Sequence, residues 1–418
     1  MKIIKRDTYL NQIIAGRENG LIKIITGLRR AGKSFLLFRL YYTYLLAQGV
    51  DERRIIRIAF DDWEMRHFRN PEYLMEHLKS WLKEDEMNYI MFDEVQLLDD
   101  FVPVLNGLLR KDNVDLYVTG SNSKFLSSDV ATEFRGRGDQ IHVYPLSFAE
   151  FLSAVDMPVE SAWKEYSTYG GLPNLVQFDN DKKKIDYLRN VYLSVYLKDI
   201  CERHRLRNKT EFEELIEIIA STIGSPCNPT KLSNTFRSLR SKTISPNTIS
   251  RYLSYLTDAF IVENSKRYDV KGKKYINSLS KYYFCDVGLR NSILDFRQQE
   301  ESHLMENIIY NELKIRGYSV DVGMVEVRAS DSDGKQVRNY YEVDFVANLG
   351  NKRYYIQSAL RMATEQKVHQ ESQSLVNIDD SFKKIIIVNQ DIKAWRNEKG
   401  ILIISLFDFL LNPESLDE

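Results

Sequence analysis

Eight residues near the start of the chain have the side chains and spacing of a phosphate-binding loop. Backbone amides of a Gly-rich turn at a helix N-terminus offer positive partial charge to phosphate oxygens. Lys33 adds a full charge, and the Ser34 hydroxyl can bind Mg²⁺ beside the phosphates. The segment Gly27-Leu28-Arg29-Arg30-Ala31-Gly32-Lys33-Ser34 fits the pattern G-x-x-x-x-G-K-S/T. The predicted ATP-binding residues are Gly27, Arg29, Arg30, Ala31, Gly32, Lys33, Ser34 and Phe35.

The sequence on either side of this loop supports the prediction. An apolar run typical of a β-strand, residues 21–26, precedes the loop, and an amphipathic helical pattern, residues 35–41, follows it. A strand, a Gly-rich turn and a helix in that order are the structural context in which the pattern is specific. The alternative is a Gly-rich turn that binds no ligand.

Two carboxylates follow another apolar run. Residues 54–60 and 89–92 have strand patterns, and a helical pattern lies between them, so we predict a parallel sheet covered by helices. Asp93 then lies at the carboxyl end of a strand, where it can hold Mg²⁺ opposite Ser34. Glu94 can orient and polarise the water that attacks the γ-phosphate. The alternative for these two acids is the N-terminus of a helix.

A further strand pattern, residues 114–120, ends in polar residues that can sense the γ-phosphate. We predict that Asn122 positions the attacking water; its alternative role is to form a turn. Arg135 and Arg137 precede the next strand pattern. Arginine stabilises charge on a transferring phosphoryl group, so either residue is a candidate finger, in cis or from a neighbouring subunit. Surface arginines without such a role are common.

Together these segments resemble those of a known family. The prokaryotic AAA+ superfamily ATPases with a C-terminal restriction-endonuclease-like (PD-(D/E)XK-type) domain carry segments similar to G-L-R-R-A-G-K-S, Y-I-M-F-D-E-V-Q, T-G-S-N-S, F-R-G-R-G and P-L-S-F-A-E-F. The later Y-G-G-L-P, residues 169–173, also resembles that family. The resemblance covers nearly the whole chain. It implies the roles given above for Lys33, Ser34, Asp93, Glu94 and Asn122.

Helical periodicity replaces the strand pattern after residue 146. Residues 147–208 are predicted to form a small helical lid. Within it, the charged run from Asp179 to Lys184 is interpreted as an exposed connection rather than a binding patch.

Residues 209–296 predict a helix-turn-helix followed by a hairpin, as in a winged helix. Ser245 and Pro246 begin the third helix as N-cap and first helical residue. A recognition helix with a basic wing suits double-stranded DNA, with phosphate contacts from the wing. The alternative is that this region packs on the ATPase core or on a protein partner. The predicted DNA contacts are Asn247, Arg251, Lys271, Lys273 and Lys274.

The order of helices and strands from residue 297 onward matches a restriction-endonuclease-like core. An active member places a Glu on the first helix, an Asp after the second strand and E-x-K on the third. Glu306, Glu342 and Asp344 occupy the first two places, but Gln357-Ser358-Ala359 lacks both the carboxylate and the lysine. Because fewer anionic oxygens remain for Mg²⁺, we predict a degenerate domain that does not cut nucleic acid.

Composition restricts the class of protein. The 58 Lys and Arg residues nearly cancel the 59 Asp and Glu residues, so overall charge indicates neither a nucleic-acid nor a membrane partner. Cys201, Cys227 and Cys285 are far apart and form no C-x-x-C pair, which disfavours a disulfide framework and a zinc site. No apolar stretch is long enough to span a membrane. We therefore expect a cytoplasmic protein without a membrane partner.

The sequence thus predicts an α/β fold of four parts. They are a P-loop AAA+ core (1–146), a helical lid (147–208), a winged helix (209–296) and a restriction-endonuclease-like domain (297–418). The predicted function is Mg²⁺-dependent ATP hydrolysis that repositions the winged helix and the nuclease-like domain, on DNA, on a protein partner or through self-association. The alternatives are a nucleotide-gated binding switch with negligible turnover and an ATP-dependent nuclease.

Overall fold

The computed structural model describes residues 3–120, 134, 136–240, 243–330, 336–362 and 365–417. The chain divides into two compact units. The first comprises Met1–Pro145 with Asp258–Phe260, and the second comprises Leu146–Thr257 with Ile261–Glu418. The finer division into four parts stays a prediction.

The first unit is built on a five-stranded parallel sheet, as the sequence predicts. Its strands are β1 (Ile22–Thr26), β2 (Ile55–Ala59), β3 (Asn88–Asp93), β4 (Val114–Thr119) and β5 (Gly138–His142). The order across the sheet is β2-β3-β4-β1-β5, and every neighbouring pair is parallel. The central strands are continuous apolar runs because helices cover both faces of such a sheet.

Helices connect these strands. They are α1 (Asp7–Ala15), α2 (Lys33–Phe35, a π-helical segment Leu36–Tyr41, and Tyr42–Ala47), α3 (Pro71–Trp81) and α4 (Phe101–Leu109), with 3₁₀ turns at Glu52–Arg54, Arg66–Arg69 and Val95–Leu97. α3 begins at Pro71 because the Asn70 side chain accepts a hydrogen bond from the Tyr73 amide and proline suits the first helical position.

The second unit begins with helices. They are α5 (Phe148–Ala154), α6 (Val159–Tyr169), α7 (Asp181–Asn190, a π-helical segment Val191–Leu197, and Lys198–Arg203), α8 (Lys209–Ser221), α9 (Pro229–Arg240) and α10 (Pro246–Asp258), with a 3₁₀ turn at Pro173–Gln177.

One interpretation of this region is wrong. The charged run predicted as an exposed connection contains the first turn of α7, which begins at Asp181. The reason is local: the Asn180 side chain accepts a hydrogen bond from the Lys183 amide at 2.9 Å and caps the helix. Lys184 also pairs with Glu165 of α6, so the charges of this run lie along a helix.

The rest of the second unit is an eight-stranded sheet with flanking helices. The strands are β6 (Val262–Asp269), β7 (Lys274–Phe284), β8 (Ser319–Ser330), β9 (Gln336–Leu349), β10 (Lys352–Ala359), β11 (Lys383–Val388), β12 (Trp395–Arg396) and β13 (Leu402–Ser405). The helices are α11 (Val287–Ile293), α12 (Glu301–Ile315), α13 (Glu365–Val376) and α14 (Leu406–Leu411). The order is β12-β13-β11-β10-β9-β8-β6-β7.

The β6–β7 hairpin differs from the predicted free wing. It is antiparallel and far longer than the four-residue pairing that the sequence suggested, with a bulge between Lys266 and Arg267. The other edge of β6 pairs in parallel with β8, from Arg267 opposite Val322 to Asp269 opposite Met324. The hairpin therefore continues the C-terminal sheet, because the parallel β8 offers hydrogen bonds that a free wing would leave to water.

The helix and strand order predicted for the C-terminal region is confirmed from α12 through β11, whereas β12, β13 and α14 were not predicted. Its assignment to a restriction-endonuclease-like fold stays a prediction. Helix α12 packs against β7, where the Asn307 side chain accepts from the Phe284 amide and donates to the Phe284 carbonyl, both at 2.7 Å. Among the helices that the structure describes, none has the length and apolar sequence needed to cross a membrane.

Candidate functional site

The loop that follows β1 has a backbone that glycine permits. Gly27 has φ 133°, and a Cβ on it would lie 2.1 Å from the Val143 carbonyl oxygen, so the loop can pass the end of β5 only with glycine here. Gly32 has φ 97° and lies at the N-terminus of α2. The two glycines of the pattern therefore allow the loop to fold over the end of β1.

Arg6 fixes this loop from beneath, a role that the sequence did not suggest. Its guanidinium is buried and donates to the Ala31 carbonyl at 2.9 Å and to the Tyr144 carbonyl at 2.6 Å. The same guanidinium lies 4.7 Å from the centre of the Tyr9 ring. Arg6 thus ties the phosphate loop to the segment after β5.

Lys33 is held inside the loop. Its side chain is buried, and Nζ donates to the carbonyl oxygens of Gly27 and Leu28, each at 3.0 Å. Burial lowers the pKa of Lys33 to about 8, against the opposing effect of the Glu94 and Asp93 carboxylates. The ammonium contacts only neutral oxygens directly, so it is available to an anionic ligand.

Ser34 and Asp93 come together as predicted. The Ser34 hydroxyl hydrogen-bonds the Asp93 carboxylate at the end of β3. Thr119, at the end of β4, donates from Oγ1 to Asp93 Oδ1. Burial raises the pKa of Asp93, although these two hydrogen bonds oppose the shift. A hydroxyl and a carboxylate are ligands that Mg²⁺ accepts, and Lys33 supplies charge for phosphate, so these residues fit a nucleoside triphosphate with Mg²⁺.

Glu94 is the next residue, and its backbone is in the left-handed region, with φ 51°. For a residue with a Cβ this conformation costs about 1–2 kcal/mol. The amide of Glu94 donates to Thr119 Oγ1 at 3.1 Å, which holds the turn, and Gln96 Nε2 donates to the carboxylate. The turn separates the direction of Glu94 from that of Asp93, so the two acids are not equivalent.

The remaining predicted residues of the first unit have different outcomes. Asn122 and Arg135 lie outside the described residues. Arg29 is half-buried, Arg30 is exposed with φ 64°, and Phe35 is half-buried on the first turn of α2.

Arg137 lies far from the loop of its own chain. Its carbonyl accepts from the Ile22 amide at 2.9 Å, at the start of β1 and β5. The phosphate loop leaves the other end of β1. Because a strand rises about 3.3 Å per residue, the five residues of β1 separate the two places by about 17 Å. The cis form of the arginine-finger prediction therefore does not hold for Arg137, and the trans form stays a prediction.

The predicted remnant site of the second unit contains a residue that the sequence did not indicate. Lys281 of β7 lies between carboxylates of α12 and β9. Its Nζ is 2.8 Å from Glu306 Oε1, 2.8 Å from Glu342 Oε1 and 3.9 Å from Asp344 Oδ1. Because Glu342 and Asp344 both face Lys281, they share one face of β9, as alternation along a strand requires. We name these four residues the carboxylate–lysine cluster.

Burial and charge are tightly coupled in this cluster. Burial and the Glu306 carboxylate raise the pKa of Asp344, against the opposing effects of Lys281 and of the Ser358 amide, which donates to Oδ2 at 2.8 Å. Burial alone would lower the pKa of Lys281, but the charges of Glu306, Asp344 and Glu342 outweigh it and raise that pKa.

Gln357 of β10 lies apart from the cluster's hydrogen bonds. Its Oε1 accepts from the Ser374 hydroxyl of α13 at 3.3 Å. Across the described ranges, no three His, Cys, Asp or Glu side chains are placed to hold a metal ion.

The predicted DNA contacts are all exposed. Asn247 and Arg251 lie on the outer face of α10, and Lys271, Lys273 and Lys274 lie at the tip of the β6–β7 hairpin. Arg251 also lines a cleft of about 570 Å³ together with Arg205 and Arg207, with Glu211 as its carboxylate. The surface beside α10 is therefore basic, although the chain as a whole is not.

Comparison with known families identifies two segments. A family model described as an AAA domain matches residues 19–152, which include β1 through β5 and the phosphate loop. A second model, described as a domain of unknown function, matches residues 160–300. The first match agrees with the five-stranded sheet and with the loop geometry described above.

Similar proteins occur in bacteria and archaea. An uncharacterized protein of Haemophilus influenzae is 33% identical over 98% of this chain and 99% of its own length. An uncharacterized protein of Methanocaldococcus jannaschii is 27% identical over 93% of this chain and 86% of its own length. Among solved structures, a Walker-type ATPase of Pyrococcus abyssi is 16% identical, with a TM-score of 0.49 over 70% of this chain and 96% of that chain.

Proposed function

This chain belongs to the same family as the Haemophilus influenzae protein and carries an AAA domain, and on that basis we propose that it binds ATP with Mg²⁺ and hydrolyses it. The observation that carries this proposal is the meeting of Lys33, Ser34 and Asp93 at the carboxyl edge of the parallel sheet. A parallel sheet binds ligands at that edge.

Each residue then has a separate task. Lys33 binds the β- and γ-phosphates, because its ammonium is buried and contacts only carbonyl oxygens in the nucleotide-free loop. Ser34 and Asp93 would hold Mg²⁺, which supplies neutralisation of the phosphate charge when bound. Glu94, turned away from Asp93 by its left-handed backbone, orients the attacking water and accepts its proton. Asn122 is proposed to help position that water.

Steady-state hydrolysis by two variants tests this proposal. Lys33→Ala is expected to lose ATP binding, whereas Glu94→Gln is expected to bind ATP and to slow hydrolysis by roughly 10²-fold to 10⁴-fold. Glu72→Gln, an exposed acid of the same unit, is the matched control and should hydrolyse ATP like the parent. If the parent binds ATP without turnover, the nucleotide-gated switch is the better description.

An arginine from a second copy of the chain would complete this site. Arg137 is exposed and lies at the opposite edge of its own sheet, a placement that supports transfer in trans; Arg135 remains the other candidate. Arg137→Ala and Glu94→Gln chains, each inactive alone, are expected to regain activity when mixed, because mixed pairs contain one intact site. Activity that does not depend on protein concentration, with no rescue on mixing, would show that each chain works alone.

We further propose that the second unit binds double-stranded DNA through phosphates and that the nucleotide state repositions it. The basic cleft beside α10 and the exposed lysines at the hairpin tip support this role. Log affinity should fall linearly with log salt. Replacing Lys271, Lys273 and Lys274 by alanine should flatten that slope and leave ATP binding intact. Equal slopes would favour a protein partner or self-association for this surface.

The C-terminal sheet is proposed not to cut nucleic acid. The third-strand position carries Gln357 and Ala359, and Gln357 is engaged by Ser374 rather than by the acids. Supercoiled plasmid should therefore stay intact with Mg²⁺ or Mn²⁺, with or without ATP. Cleavage that disappears in Asp344→Ala would instead establish an ATP-dependent or independent nuclease. A cytoplasmic location is part of the proposal, since the three cysteines are free and buried.

A further inference from the structure

The carboxylate–lysine cluster joins three elements that are distant in sequence. Lys281 comes from the β6–β7 hairpin, Glu306 from α12, and Glu342 and Asp344 from β9. Lys281 is only 3% exposed, and Glu306 and Asp344 are 9% and 8% exposed. Buried charges are tolerated when they are paired and hydrogen-bonded, and here one cation serves three acids.

The ammonium lies where a shared cation would have to lie. Nζ is at 2.8 Å from one oxygen of Glu306 and at 2.8 Å from one oxygen of Glu342. Divalent metal ions bind carboxylate oxygens at about 2.0–2.6 Å, so an ion bridging these two oxygens would overlap the Lys281 nitrogen. The lysine and a bridging metal ion are mutually exclusive.

The cluster is also covered from outside. The Tyr283 hydroxyl donates to Glu306 Oε1 at 2.7 Å. Above the same carboxylate lies the turn after α8, where a Cβ on Gly224 would be only 3.2 Å from Glu306 Oε2. A phosphodiester therefore has no space beside Glu306. Only Glu342, with 30% of its side chain exposed, reaches the surface.

We propose that Lys281 is the resident cation of this cluster, that it takes the position of a divalent ion, and that its removal would create a metal site. The ammonium thereby replaces metal as the link between hairpin, helix and sheet. This inference is independent of ATP hydrolysis, and it concerns metal binding rather than cleavage, so the plasmid assay and the test below can fail separately.

The test is thermal unfolding of the full chain with and without millimolar Mn²⁺. All variants carry Asp93→Asn, which removes the predicted metal ligand near the phosphate loop. Mn²⁺ is expected to raise the melting temperature of Lys281→Met by several degrees and to leave the Lys281 parent unchanged, because binding only to the folded state stabilises it. Lys384→Met is the matched control: Lys384 belongs to the same sheet but donates to the Ile378 and Asp380 carbonyls.

Two results would overturn the proposal. One is an equal response to Mn²⁺ in Lys281→Met and in the parent; the other is no response in a folded Lys281→Met chain. If Lys281→Met is insoluble with and without Mn²⁺, the variant Lys281→Met/Glu306→Gln/Glu342→Gln decides. It removes the uncompensated charges, so it should fold without metal and ignore Mn²⁺, and an insoluble triple variant would contradict the proposal.

Discussion

Two buried lysines illustrate how different the two units are. Lys33, in the phosphate loop, donates to two backbone carbonyls, and burial lowers its pKa to about 8. Lys281, in the carboxylate–lysine cluster, contacts the carboxylates of Glu306 and Glu342, which raise its pKa. Both side chains are nearly inaccessible, so burial alone does not distinguish them.

The direct partners make the difference. Carbonyl oxygens are neutral, so the charge of Lys33 is only partly compensated and an anionic ligand can complete it. Carboxylates compensate Lys281 fully, so the charge does no further binding and instead holds the fold together. A buried lysine is therefore a binding group in one unit and a structural group in the other.

The largest expected effect is on stability. Lys281→Met leaves carboxylates buried without a cation, so we expect it to lower the free energy of unfolding by about 3–5 kcal/mol. Lys33→Met removes a desolvated charge without orphaning a partner, so stability should be unchanged or higher. Denaturant unfolding combined with hydrogen exchange in β7 and β1 measures both. Lys399→Met, at an exposed position, is the control, and equal losses in Lys33→Met and Lys281→Met would refute the distinction.

A smaller effect is expected beneath the phosphate loop. Arg6→Ala removes two charged hydrogen bonds to carbonyls, interactions worth about 1.5–3 kcal/mol each in favourable cases. Because those bonds hold the Ala31 end of the loop, ATP affinity should fall while the rate of the bound enzyme changes little. Fluorescent-nucleotide titration and single-turnover hydrolysis separate these quantities. Lys5→Ala, an exposed neighbour, should bind ATP normally; unchanged affinity in Arg6→Ala would mean that the loop holds its shape alone.

The smallest effect is a pH dependence that only Lys33 should show. Its folded-state pKa, about 8, is below its ordinary 10.5, so the unfolded chain binds the proton between these values and stability of the nucleotide-free unit rises with pH across that interval. ATP binding needs the charged form. Affinity should therefore fall by up to about tenfold per pH unit above 8, with proton uptake on binding.

Calorimetry in buffers of different ionisation enthalpy measures that uptake. Lys33→Arg, which stays charged over this range, is the matched control and should lose the pH dependence even if its affinity is lower. Parallel pH profiles in the parent and in Lys33→Arg would assign the dependence to another group.

Much of the phosphate site could be predicted because its parts are local in sequence. The loop, Ser34 and the Asp93–Glu94 pair each follow an apolar run whose end is visible, and parallel strands bring those ends together. Arg6 could not be predicted: it reaches Ala31 across 25 positions and Tyr144 across 138. No periodicity records such a contact.

The cluster was predictable only in part. Glu306, Glu342 and Asp344 were found because they occupy fixed places in an order of elements. The lysine was sought two residues after Gln357, where Ala359 stands, whereas the structure supplies Lys281 from a strand assigned to a wing. The sequence gave no sign that β6 would pair with β8, since parallel pairing joins segments separated by an intervening helix.

The placement of β6 decides how the second unit can be dissected. β6 is hydrogen-bonded to β7 on one edge and to β8 on the other, yet the match to the second family model ends at residue 300, before β8 begins. A fragment ending there would expose one edge of β6 to pairing with other chains and strand Lys281 without its acids. Such a fragment is expected to aggregate when expressed alone, and an autonomously folding piece has to extend beyond β9.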